Sequence, residues 1–245
     1  MDAATDRVVQ HDRKHMTTHQ RQIGQGQIGR AQIGWQTGAW DVVTRLADTD
    51  GSATHPYLAR LAHGDAAARD LSDAVHALCA VHGHQPGIAD EALVRAAQPD
   101  AGDWLESVAT GFAAERAYLA RLTAAVGPVP STPGQSHSES AMLGARHAID
   151  MLARSDRRGC ATGAVAALVA DWVAVRRVLD RAAVRFGIDV VAIALPVEAD
   201  TATIIAMLGD APGVTRAISF GAQQLFAQHR GLFDLLDARA DARDA

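Results

Sequence analysis

From Trp40 onward the apolar residues of this chain return at alternating steps of three and four, and that period belongs to one kind of element. The pattern is cleanest over 103–126, where Leu105, Val108, Phe112, Glu115, Leu119, Leu122 and Val126 form one stripe with a single ionisable intruder. A second unbroken seam runs through Ala161, Val165, Leu168, Trp172, Val175, Leu179, Ala182 and Phe186. Seams of this kind predict long amphipathic helices that cross at shallow angles, as in an up-and-down bundle.

The remaining segments follow the same rule. Residues 56–84 carry Leu71, Val75 and Leu78 on one stripe and stop at Gly83 and Pro86, a helix-ending pair. Residues 138–154 turn Met142, Ala145, Ile149 and Leu152 inward, and Gly187 closes the long 160–186 segment. A last segment begins near Asp200, is punctuated between Gly209 and Gly213, and resumes from Val214 to Arg239. Its Leu225, Phe226, Leu232, Phe233, Leu235 and Leu236 predict a helix buried on several sides. Asp189–Leu195 is β-branched enough for a strand, but one strand makes no sheet, so it reads as an extended connection. The expectation is an all-α, single-domain bundle of about five long helices with short extra ones. It spans 38–240, with a disordered low-complexity tail over 1–37 and a C-terminal tail over 241–245.

The informative residues are those that break the apolar faces. Positions three, four and seven away share a residue's face of a helix. Around Glu115 these are Val108, Gly111, Phe112, Tyr118, Leu119 and Leu122. Around Asp171 they are Ala164, Ala167, Leu168, Ala174, Val175 and Val178, and around His229 they include Leu225, Phe226, Leu232 and Phe233. None of these neighbours is charged. An unpaired buried carboxylate loses several kcal/mol of solvation or becomes neutral, so three such groups on three helices are expected to meet one another, a metal ion or a polar ligand. His147, flanked by Leu143 and Met151 with Asp150 one turn on, is a weaker fourth member, and Gln224 and Gln228 are candidate supporting donors. A transition metal held by Glu115, His147, Asp171 and His229 is one reading. The plainer one is a structural pair of Glu115 with His229, supported by Tyr118, that fixes register.

Other patterns do not hold together. Asp73, His76, Cys79 and His82 recur every third residue, but each step turns by about 60°, so Asp73 and His82 point in opposite directions. Asp73 with His76 reads as a surface hydrogen bond, and His82 with His84 lacks a third ligand at metal spacing. Gly24-Gln25-Gly26-Gln27-Ile28-Gly29 matches a dinucleotide fingerprint in letters only: no strand precedes it, and its glycines come from a Gln-Ile-Gly repeat of period five. His11, His15 and His19 lie at helical spacing without an apolar stripe to make the helix, and Met16 is an alternative start of translation. Nucleophile elbow, phosphate loop, His-Glu-x-x-His and Cys-x-x-Cys are all absent.

Charge narrows the partners. A net charge of -5 argues against nucleic acid, whose binding is driven by phosphate neutralisation. No run reaches the ~18 apolar residues of a membrane span, and no N-terminal apolar run resembles a signal peptide. Cys79 and Cys160 lie far apart in separate helical patterns, so reduced thiols and a cytoplasmic location are expected.

Two stretches carry a resemblance: Ala77-Leu78-Cys79 running into His82-Gly83-His84-Gln85-Pro86-Gly87, and Phe220 to Leu225 running into Gln228-His229-Arg230-Gly231. Through them the chain resembles an uncharacterised all-helical family found in alphaproteobacteria, which brings no known activity. A broader likeness is to ferritin-like and haem-oxygenase-like bundles, which imply core carboxylates and histidines; the absence of any Glu-x-x-His departs from a di-iron centre. The sequence therefore supports a structural or partner-binding bundle, associating through helix faces with another protein or itself. The alternative is a metal- or small-ligand-binding, redox-capable bundle, and no enzyme activity is assigned.

Overall fold

The computed structural model describes residues 38–209 and 211–245. Among them every regular element is helical: α1 (Ala39–Asp50), α2 (Pro56–Ala62), α3 (Ala68–His82), α4 (Ile88–Arg95), α5 (Gly102–Ala125), α6 (Gln135–Ala153), α7 (Cys160–Phe186), α8 (Glu198–Leu208) and α9 (Pro212–Asp244), with short 3-10 turns at Ser52–Thr54 and Pro99–Ala101. The segment read as one helix from 56 to 84 is two, because 63–67 carries a Gly64 turn. The break at Gly209–Gly213 separates α8 from α9, whose first residue is proline, a residue favoured there because its missing N–H is not needed. Where a tail was expected from 241, α9 continues to Asp244 and carries Arg243 into a polar cluster.

The bundle is organised around α7. This helix packs on every other α-helix, most extensively on α9. Its buried face extends nearly all the way round, from Cys160 and Val165 through Leu168, Trp172 and Val175 to Ala183. Small residues permit the closest crossing: a Cβ on Gly221 of α9 would overlap the backbone of Cys160, and one on Gly163 would lie 2.6 Å from Ile218 Cα. The β-branched run at 189–195 forms no strand; it crosses α5 at Gly111, where a Cβ would overlap Ala194. It is an extended connection, as its isolation required.

Candidate functional site

The three ionisable residues that break apolar seams are all interior: Glu115 is 1% exposed, Asp171 3% and His229 1%. They fall into two adjoining sets. Glu115 on α5 faces Arg176 on α7, whose Nη1 donates to both carboxylate oxygens at 2.9 and 2.8 Å. Trp172 Nε1 donates to Oε2 at 2.9 Å and the Ala194 amide to Oε1 at 3.1 Å. The rest of the guanidinium donates to Asp180 Oδ1, also the acceptor for Tyr118 Oη, and to the carbonyl of Val191. Burial opposes the charge on Arg176, but the hydrogen bonds and field of Glu115 and Asp180 outweigh it and hold the guanidinium protonated. Burial and the Asp180 carboxylate together push the Tyr118 phenol above its ordinary range.

Asp171 and His229 belong to the second set. Asp171 accepts from the amide of Ser52 at 2.7 Å, from its hydroxyl at 2.5 Å, and from Nδ1 of His229 at 2.6 Å. The other ring nitrogen of His229 lies 2.9 Å from Nε2 of His82, so one proton is shared between them. His82 stands edge-on to Trp172 and Phe112, which joins the two sets through the indole that also donates to Glu115. The pairing expected for Glu115 with His229 is therefore not made: arginine takes the carboxylate, and histidine takes Asp171.

Serine, aspartate and histidine in one chain suggest acyl transfer, but the order is wrong for it. The Ser52 hydroxyl donates to the carboxylate instead of to an imidazole, so no nucleophile is activated. Every member of the chain is buried. Its chemistry is that of a structural relay, in which each buried polar group satisfies the next.

The metal set of Glu115, His147, Asp171 and His229 is not assembled. His147 is exposed on α6, Asp150 accepts from His84 at 3.0 Å instead of from His147, and Glu115 is neutralised by arginine. Among the described residues no group of three or more His, Cys, Asp or Glu is placed to hold a metal ion. Gln224 and Gln228 are half-buried on α9, and no hydrogen bond joins them to either set among the described residues. His82 and His84 take separate partners, which removes the second metal reading. Cys79 and Cys160 are free thiols.

A third buried cluster escaped sequence reasoning. Asp73 is gripped by Arg239 through Nε at 2.9 Å and Nη2 at 2.8 Å, and by Arg243 Nη1 at 2.6 Å, while Arg243 also reaches Asp70. Asp73 was expected at the surface beside His76; it is 2% exposed and ties α3 to α9.

His82 gives the core a measurable pH dependence. Burial, then the neighbouring His229 ring, then His84, hold its pKa well below the ordinary value of 6.5. As pH falls through 6.5 the unfolded chain takes up a proton that the folded one refuses, so stability declines by at most about 1.4 kcal/mol per pH unit from this group. Urea midpoints are expected to drop between pH 7 and pH 5, with a shallower slope in His82→Leu. An unchanged slope in that variant would assign the effect elsewhere.

One surface feature stands apart from these clusters. Trp40 and Thr44 of α1, Val169 and Val173 of α7, and Ile193 and Val197 of the connection line an open groove of about 430 Å³. Val173 is 56% exposed, Val197 64% and Ile193 41%. The connection that forms one wall is the segment clamped by the Glu115–Arg176 pair. No described helix is long and apolar enough to cross a membrane. A model for a family of unknown function, DUF6975, matches residues 47–244. No curated protein and no solved structure matches the chain.

Proposed function

The chain belongs to DUF6975, a family of unknown function, and we propose that it is a non-catalytic helical scaffold that binds a partner through the groove between α1, α7 and the 187–197 connection. The observation that supports this most is the contrast between interior and groove. The core's ionisable groups are consumed by one another, whereas three large aliphatic side chains remain in water along one continuous depression. A groove of this volume takes a few apolar side chains, and a wall held by hydrogen bonds to the buried Glu115–Arg176 pair keeps it open before a partner arrives, which lowers the ordering cost of binding.

Nile red, a neutral apolar dye, tests the reading directly. Its fluorescence is expected to rise saturably with the folded full chain at about one dye per chain, and the rise should vanish in Val173→Asp and in Ala170→Trp, which sets an indole at another residue of the groove lining, at unchanged helix content. A dye signal that survives both substitutions, or none in the native chain, would remove the groove as a binding site.

A further inference from the structure

We infer that the occupant of this groove is a cationic amphipathic helix presented by another protein, a conclusion that rests on the groove being the binding face. The charged side chains lining it are Asp48 on α1 and Glu198 at the start of α8, and both are acidic. Both are exposed, and no ion pair joins either to a described residue. Beyond the lining, Arg45 lies between Asp41 and Asp48 on α1 and Asp200 follows Glu198 on α8, so the acidic excess is that of the lining itself and of the α8 end. Arg177, one turn beyond Val173 on α7, stands outside the lining.

This distribution sorts the occupants. A second copy in a two-fold pairing would set the same patch against itself, bringing Asp48 and Glu198 of one chain toward those of the other. Anionic lipid headgroups and nucleic acid meet the same repulsion. A helix with an apolar stripe at i, i+3/i+4 and i+7 can lay those side chains between Trp40, Val173 and Val197, with Lys or Arg on its flanks reaching Asp48 and Glu198. The apolar stripe supplies affinity, and the flanking charges supply orientation and rate of encounter.

Fluorescence anisotropy with three labelled peptides and the full chain separates the possibilities. One peptide carries a leucine stripe with lysine flanks, the second the same stripe with glutamate flanks, and the third the lysine peptide in scrambled order. The lysine peptide is expected to bind at least roughly tenfold tighter than the glutamate peptide at low salt, with the difference shrinking as salt rises. Asp48→Asn with Glu198→Gln should reduce that preference several-fold, and Val173→Asp should abolish binding. Equal binding of the lysine and glutamate peptides, still lost in Val173→Asp, would overturn the cationic partner and leave the groove standing. Equal binding of the scrambled peptide would overturn the helix. Binding of none, with self-association by sedimentation that Val173→Asp abolishes, would assign the groove to a second copy; binding of none without it would overturn both readings.

Discussion

Replacing Arg176 with Met is expected to cost about 3–5 kcal/mol of folding free energy, read as a fall in the urea midpoint at constant slope. The loss is much larger than a surface pair would give, since both partners are about 1% exposed and the substitution strands the Glu115 carboxylate in the core. Glu115→Gln alone leaves the guanidinium with Asp180 and Val191 as partners and should cost less. In the double variant Arg176→Met with Glu115→Leu the stranded charge is gone, so at least half of the single-variant loss should return. Full recovery is not expected, because Trp172 Nε1 and the Ala194 amide lose their acceptor. The double variant also separates stability from function: amide exchange at Ala194 should accelerate even as global stability recovers, because the clamp on the groove wall has been cut. If the double variant is no more stable than Arg176→Met, the cost lies in packing and not in the stranded carboxylate.

That pair also shows what the sequence could and could not reveal. Glu115, Asp171 and His229 were legible because each sits among uncharged neighbours on its own helix, and burial follows from the seam alone. Their partners were not. Arg176 has Asp180 one turn on, so within α7 it reads as an exposed ion pair. Asp73 is followed by His76, and Arg239 by Arg243, so both look solvated until α3 and α9 are brought together. A helix-face test finds a buried charge whose partner is elsewhere and misses one that also has a charged neighbour on its own helix. Which carboxylate meets which cation is decided by helix crossing, and no periodicity encodes that.

The fold was legible to a similar depth. The seams at 103–126 and 160–186 predicted α5 and α7 almost to the residue, because a mostly apolar three–four stripe ended by Gly127 or Gly187 leaves little freedom. The eight-residue α4 carries too few turns to show a seam, and the Gly64 break lies inside a stretch whose apolar period reads as continuous helix. The central position of α7 was within reach, since its alanines and valines fill the faces that a surface helix would make polar. The groove was not within reach: Trp40, Val173 and Val197 are far apart in sequence and look like ordinary core residues.

Two glycine-to-alanine substitutions on α9 should move stability in opposite directions, which tests the α7–α9 crossing directly. Helix propensity alone favours alanine by about 1 kcal/mol at either position. At Gly231, where a Cβ would meet nothing within 4 Å, that preference should show, and the variant should gain up to about 1 kcal/mol. At Gly221 the same methyl would overlap the carbonyl of Cys160 and lie 3.0 Å from the amide nitrogen of Ala164. These are backbone atoms inside α7, so relief requires the two helices to separate, and that opens the contact which buries Leu225, Phe226 and Leu168 at full density. Gly221→Ala should therefore lose about 3 kcal/mol or more despite the better propensity. Thermal and urea denaturation of the pair decide the matter. Similar small gains in both variants would mean that α7 and α9 do not approach through their glycines, and the central packing of α7 would have to be redrawn.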